Sequence, residues 1–365
     1  VRALATDLTE LGYSVEILSL PFGQDVPGLK ISRVPRVPFF RGVPIGPSLA
    51  KVIYLGIFCL AVWRRRKEFD LIHGIEEGAF AAGIVGVLAR TPYIVDVDSC
   101  MPTQLASSLM GRIPGVTRLF AATESFFLRR ATAALTVCSA LTEKVRKVSP
   151  SLPIFQIEDF PLEDALKVDQ RTLERLEERF AGRRIALYTG NLEPYQGVEL
   201  LIESFRTLQD QQTTLVIVGG NKEQISRLEQ RSGQAAVVFE GSRPTTEMGA
   251  YMAAADFLLS PRLHGENVPL KLYTYMAAGK PLVATSIPSH TQILDESIAF
   301  MGEPTAAGFT AALSAAFSAS KSELELRTAR ALDLVKSRYS RSAFKGKLAA
   351  AYQELLPLFR SVANG

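Results

Sequence analysis

What is scarce in this 365-residue chain narrows the field first. Its three cysteines, Cys59, Cys100 and Cys138, are odd in number and sit among apolar residues, which argues against a disulfide framework. Buried free thiols in a reducing compartment, the cytoplasm, are the expectation. The three histidines, His73, His264 and His290, are scattered, and no Cys or His pair has metal-ligand spacing. No dedicated zinc site is therefore expected. Charge of one sign is not concentrated: 41 Lys and Arg against 37 Asp and Glu leave a net +4. That lacks the density of a nucleic-acid binder, yet it suits an anionic ligand or an anionic membrane face. Low-complexity tracts and short tandem repeats are missing, which excludes a disordered chain or a repeat array. The apolar run Val52 to Trp63 falls short of the roughly 20 residues needed to span a bilayer.

What is present is 47% hydrophobic content, enough for two cores in a chain of this length. Short β-rich runs alternate with longer helical ones, the pattern of parallel sheets covered by helices on both faces. Strands are expected over Ser14 to Leu20, Phe69 to His73, Tyr93 to Val97 and Ala134 to Cys138. A second series is expected over Ile185 to Thr189, Thr214 to Val218, Val237 to Glu240, Phe257 to Leu259 and Pro281 to Ala284. Ile157 to Asp164, with Pro161 and several acids, reads as a connector. The expected fold class is α/β, with two Rossmann-like doubly wound domains facing an interdomain cleft. The first covers 1–160 and is completed by a terminal amphipathic helix within 340–365; the second covers 161–339. Val1 to Leu11 reads as a helix of the kind that follows a strand and glycine turn. About 15 residues of such a unit are accordingly expected ahead of it.

In open parallel sheets ligands bind beyond the carboxyl ends of the strands, so chemistry is sought where strands run into loops. Tyr188-Thr-Gly-Asn-Leu-Glu-Pro-Tyr-Gln-Gly197 is a strand entering a glycine-bracketed turn that opens the helix Val198 to Leu208. Backbone N–H groups of such a turn and the positive helix end suit an anion such as pyrophosphate. A βα turn whose glycines serve geometry alone is the plainer reading. Ser260-Pro-Arg-Leu-His-Gly-Glu-Asn-Val-Pro-Leu-Lys271 is a second such loop, with Pro269 where the first helical turn should begin. It leaves the N–H groups of Asn267 and Val268 for an anion. Glu266 beside them would hydrogen-bond sugar hydroxyls, or else serve only the helix dipole.

These segments, with Val216-Ile-Val-Gly219, Val238-Phe-Glu-Gly241, Ala255-Asp256, Ala278-Gly-Lys-Pro281 and Phe69-Asp-Leu-Ile-His-Gly74, resemble the family-four retaining glycosyltransferases of the GT-B fold. The likeness runs over nearly the whole chain. It implies a nucleotide-sugar donor, a glycan or lipid-linked hydroxyl acceptor, retention of configuration, no required metal and no other cofactor. The family's Arg after the first glycine of the turn and Lys before the second fall on Asn191 and Gln196, beside Gly190. Of its two glutamates with seven residues between them, the first is Glu266 and the second is replaced by Thr274. A family histidine after Tyr93 to Val97 falls on Asp98.

A nucleotide diphosphate carries about two negative charges, and bonds to charged donors are roughly twice as strong as neutral ones. With two family cations replaced, Arg262 in a bidentate grip and Lys271 as a point charge are expected to compensate, unless they serve only a surface salt bridge or a solvated helix face. Arg243 and His264 complete the donor-side set. On the acceptor side, Asp98 and Ser99 follow one strand, and Glu76 and Glu77 follow another. Asp98 is expected to orient an attacking or sugar hydroxyl; the two glutamates either contact substrate or cap the helix near Ala79.

Val52 to Trp63 is followed at once by Arg64, Arg65, Arg66 and Lys67. It is either a buried helix with a basic end or a helix partly facing lipid, with Arg33, Arg36, Arg41 and Phe39-Phe40 adding to a peripheral membrane patch. A nearby strand that needs covering favours the buried form. Two rival functions stand beside sugar transfer. A nucleotide-sugar epimerase is disfavoured because no acid and base are paired for proton exchange. A non-catalytic binding or scaffold protein is suggested by Asn191, Gln196 and Thr274.

Overall fold

The structure is a computed structural model describing residues 1–40, 42–43, 48–99, 115–208, 210–233 and 235–363. Cys100 and Arg41 lie outside the described residues; Cys138 is buried and Cys59 partly so. The chain divides into two compact units, Val1–Glu158 with Phe344–Gly365, and Asp159–Ala343.

In the first unit the strands are β1 (Glu16–Ser19), β2 (Lys30–Arg33), β3 (Ile72–Ile75), β4 (Tyr93–Val97), β5 (Ala133–Thr136) and β6 (Ile154–Gln156). β3 to β6 form a parallel sheet in chain order, while β1 and β2 form a separate parallel pair. The helix Leu49–Arg64 is capped by Ser48, whose side chain accepts from the Lys51 N–H. It precedes β3. The strand expected at Phe69 begins three residues later, because Arg65 to Asp70 is taken up by a turn in which Glu68 donates its N–H to the Arg65 carbonyl at 2.8 Å. Helix Arg341–Ala363 packs Leu348, Ala351, Tyr352 and Leu355 into a core with Leu8, Ile94 and Leu135.

The second unit contains β7 (Arg184–Thr189), β8 (Thr213–Val218), β9 (Val237–Gly241), β10 (Phe257–Ser260), β11 (Leu282–Thr285) and β12 (Phe300–Gly302). All pairings are parallel, in the spatial order β9-β8-β7-β10-β11-β12. That is the doubly wound Rossmann order 3-2-1-4-5-6. Strand order reverses between β7 and β10, which makes the carboxyl edge of these two strands the topological switch point. The apolar runs Ala186 to Tyr188 and Leu215 to Val218 are buried on both faces, as parallel strands between helix layers require. Helices Val198–Leu208 and Ala306–Ser318 contribute Leu201, Phe205, Phe309 and Leu313 to the core on one face.

Candidate active site

The glycine turn after β7 and the loop after β10 meet at this switch point. The Leu263 N–H donates to the Tyr195 carbonyl at 2.9 Å, stitching the loops together. Gly197, at φ +74°, makes this approach possible: a Cβ there would lie 1.9 Å from the Pro261 carbonyl oxygen. Between Gly197 and the turn's first glycine, Pro194–Gln196 is a single 3-10 turn, and the helix then runs from Val198 to Leu208.

Lys271 rises from the first turn of helix Leu270–Ala277 into this junction. Its Nζ donates to the Thr189 carbonyl at 3.3 Å and lies 4.1 Å from the centre of the Tyr188 ring. Burial, with the positive charge of Arg262 adding to it, pulls the ammonium from its ordinary 10.5 down to about 7. Arg262 is buried and lies 5.4 Å from the Tyr195 ring centre. Burial also lowers its pKa. Neither cation has a carboxylate partner among the described residues. Two desolvated positive charges facing a glycine turn without a protein anion are an electrostatic deficit that a bound anion would relieve.

Arg262 corrects one expectation. Its Nε donates to the His264 carbonyl at 2.9 Å, and Nη1 and Nη2 donate to the carbonyl and Oδ1 of Asn267, each at 3.2 Å. Much of its fork therefore shapes its own loop, and it contributes charge and the remaining N–H groups rather than a free bidentate grip. Gly265, at φ +148°, accommodates it, since a Cβ would lie 2.3 Å from Nη2. Pro269 is the N-cap of its helix and not the first helical residue. Val268 is buried. Among the described residues the N–H groups of Asn267 and Val268 have no acceptor.

Other expected donor-side residues are spread out. Gly190 and Asn191 are exposed at the turn, with Asn191 Oδ1 accepting from the Glu193 N–H at 3.2 Å. His264 is exposed beside Tyr195, with ring centres 6.2 Å apart. The Glu266 carbonyl accepts from Gln292 Nε2 at 2.7 Å. Three residues depart from expectation. Gln196 is buried, because its 3-10 turn packs under the junction, and its Oε1 has no partner among the described residues. Thr274 faces the connector: its Oγ1 accepts the Leu162 N–H at 3.2 Å. Arg243 pairs with Glu240 at 2.9 Å, in a cluster with Arg179 and Tyr251, away from the junction.

A support beneath the junction escaped sequence reasoning. His290 is fully buried, its Nε2 3.1 Å from Ser260 Oγ and its Nδ1 2.8 Å from the Thr285 carbonyl. Thr285 Oγ1 in turn donates to the Arg262 carbonyl. Burial drives the imidazole from 6.5 down to about 3, so it is neutral and acts as a strut. Tyr275 braces the other side, accepting the Thr189 N–H at 2.7 Å. Its only sequence signal is its place in the helical stripe after Lys271.

In the first unit, Glu76 is exposed at the carboxyl end of β3 with φ +49°, a rare conformation for a side chain-bearing residue. Glu77 is the helix N-cap by position, but its side chain makes no cap hydrogen bond and pairs with Lys51. Asp98 and Ser99 follow β4 and border a recess of about 30 Å³ with Asp96 and Glu124, whose pKa burial raises. Asp98, Glu76 and Glu77 also line a largely apolar cavity of about 570 Å³ with Leu8, Ile17 and Phe58. His73 links this edge to the terminal helix, with Nδ1 2.8 Å from the Tyr352 hydroxyl and Nε2 3.1 Å from Asp96 Oδ2. Among the described residues no group of three or more His, Cys, Asp or Glu is arranged to hold a metal ion.

A cationic, amide-rich junction at the switch point of a Rossmann-ordered sheet is an arrangement suited to a phosphorylated ligand. The family models define the class. Residues 183–318 match the glycosyl transferases group 1 family, and residues 1–153 match the glycosyl transferase 4-like domain. The chain belongs to the group 1 glycosyltransferases, a family of transferases. Its fold is GT-B, as likeness to solved enzymes shows. Sucrose-phosphate synthase (tll1590) from Thermosynechococcus elongatus superposes with a TM-score of 0.79 at 17% identity, over 98% of this chain and 92% of that one. Anabaena Alr3699/HepE, solved in complex with UDP-glucose, superposes with a TM-score of 0.72 at 14% identity, over 93% and 99%. A curated relative, named provisionally as the teichuronic acid biosynthesis glycosyltransferase TuaC of Bacillus subtilis (strain 168), is 24% identical over 262 residues, 68% of this chain. The match spans 62% of that relative's length.

Proposed function

We propose that this chain is a retaining glycosyltransferase that moves a sugar from a nucleoside diphosphate donor to a hydroxyl acceptor in polysaccharide, lipid-linked sugar or glycolipid synthesis. The observation that carries the reading is the pair of carboxylate-free cations, Arg262 and Lys271, beside the glycine turn after β7. A diphosphate there is met by both charges and by the N–H groups of Asn267 and Val268. As the glycosidic bond breaks, negative charge grows on the departing phosphate, and fixed cations in a partly desolvated site stabilise that state more than the ground state. In this reading charge neutralisation falls to the protein's own cations and not to a metal ion. Glu266 holds hydroxyls of the donor sugar, and Asp98, with Ser99 and Glu76, orients the acceptor. Retention follows if the acceptor attacks from the leaving-group face while the donor phosphate assists its deprotonation.

The solved complex of Anabaena HepE with UDP-glucose supports a uridine nucleotide as the first donor to test. The name of the Bacillus relative supports a polymer of the teichuronic acid kind as product class. The enzyme then works in the cytoplasm, at the inner face of the membrane, where lipid-linked acceptors are presented.

Thermal-shift measurement against a panel of nucleotide sugars tests donor binding: a ligand at 100 times its Kd adds about 2.7 kcal/mol to stability. NMR of the product's anomeric proton then tests retention. A second reading, a binding protein without turnover, is favoured by Gln196 being buried and Thr274 being tied to Leu162. Slow donor hydrolysis without acceptor would exclude it.

A further inference from the structure

Helix Leu49–Arg64 is apolar on two faces, and the fold covers only one of them. Ala50, Tyr54 and Val62 are buried. The opposite stripe runs Leu49, Val52, Ile53, Gly56, Leu60 and Trp63, all exposed, with Leu49 at 71%, Val52 at 56% and Leu60 at 48%. These positions recur at helical spacing and contain no charged residue, so water meets a ridge about 21 Å long at 1.5 Å per residue. The burial expected for this run is therefore only half realised, because one face suffices to cover the sheet.

The surroundings of the ridge say what meets it. Beyond Trp63 come Arg64, Arg66 and Lys67, and Arg66 lies over the Trp63 ring at 4.4 Å while donating to its carbonyl. The flanking segment reaches the helix through the Val37 N–H, which donates to the Tyr54 hydroxyl at 3.2 Å. That segment brings Arg36 and Phe39, the latter 91% exposed. The nearby carboxylates are neutralised: Glu68 and Glu16 pair with Arg65, and Glu77 pairs with Lys51. The ridge is thus apolar along its length and cationic at its end, with a tryptophan at the junction.

We propose that this face docks on an anionic lipid bilayer, the helix lying in the interface with Leu49, Val52, Ile53, Leu60 and Trp63 turned into the acyl boundary. A protein partner of mixed charge would leave the cations without counter-charge, whereas anionic headgroups supply it along the whole rim. The helix is too short to cross, and no described helix is long and apolar enough to do so. The proposal rests on the transferase reading only for its use, which is to hold the enzyme where a lipid-linked acceptor lies; the binding itself needs no turnover.

The test is co-sedimentation of the full chain with phosphatidylcholine vesicles containing 0 or 30% phosphatidylglycerol. Binding is expected to the anionic vesicles and to weaken as salt rises. The Arg64→Gln/Arg66→Gln/Lys67→Gln variant should lower partitioning about a hundredfold, at about fivefold per charge, and Val52→Glu/Leu60→Glu should abolish it. UDP affinity and melting temperature should stay unchanged in both, which separates lost docking from lost folding or a wrong donor assignment. No binding of the wild type to anionic vesicles overturns the proposal. So does equal binding by the folded Val52→Glu/Leu60→Glu variant, or a wild-type dimer that this variant splits without any vesicle binding.

Discussion

If Lys271 meets the donor diphosphate, nucleotide binding must be coupled to proton uptake above neutral pH. The free ammonium titrates near 7 because it is desolvated and sits near Arg262. One negative charge about 4 Å away, at an effective dielectric of about 20, is worth about 4 kcal/mol. That corresponds to about three pKa units, enough to return the bound lysine to its ordinary range. The sign follows: affinity is full below pH 7 and falls as pH rises between the free and bound values, about tenfold per unit. Titration calorimetry with UDP at pH 7.5 and pH 9, in buffers of different ionisation enthalpy, reads both quantities. Phosphate groups with a second pKa near 6 are fully ionised throughout this window. About a twentyfold rise in Kd and uptake approaching one proton are expected in the wild type. Lys271→Met should bind more weakly at pH 7.5 and lose the slope. A wild-type Kd that is flat from pH 7.5 to 9, with no proton exchanged, would refute the assignment of Lys271 to the anion.

Three further outcomes follow. Gly197→Ala should lower the unfolding free energy by roughly 1 to 3 kcal/mol, read as a lower urea midpoint, since φ +74° is unfavourable for alanine and its Cβ would meet the Pro261 carbonyl; an unchanged midpoint would show that the two loops do not need their close approach. His290 is neutral when folded, so its contribution is full above the unfolded pKa of 6.5 and is lost as pH falls towards about 3. A shift of that size is worth at most about 5 kcal/mol, and His290→Gln should flatten the acid limb of the stability curve over that range. Asp98→Asn should cut transfer at least tenfold while leaving UDP affinity within twofold, a split read by initial rates alongside calorimetry; loss of UDP affinity would move Asp98 out of the acceptor role.

Five of the second unit's six strands, β7 to β11, were readable within a residue or so because each is a short apolar run bounded by glycine or polar loops. β2, β6 and β12 were not: Lys30–Arg33 holds a single apolar residue, and the other two are only three residues long, too short for alternation or hydrophobicity to stand out. The loops after β7 and β10 were legible through their glycines, Pro269 and the charged side chains between. What could not be read was how those side chains divide their bonds. Arg262 looked like a free fork until its own loop claimed Nε and both Nη atoms. Gln196 and Thr274 occupy the positions of family ligands, yet one is buried as the last residue of a 3-10 turn and the other turns to Leu162. The strut through His290 joins residues 23 to 30 positions apart and has no local signature.

Alternating apolar periods, turn chemistry and the order of motifs lie along the chain itself, and from them the sequence alone determined the α/β class, the family and the two loops that carry charge. Tertiary structure decided what those loops do with it. Whether an arginine is spent or available, whether a lysine titrates near 7 or 10, and whether an apolar helix face is covered all depend on desolvation and on partners remote in sequence. Those quantities exist only once the chain has folded.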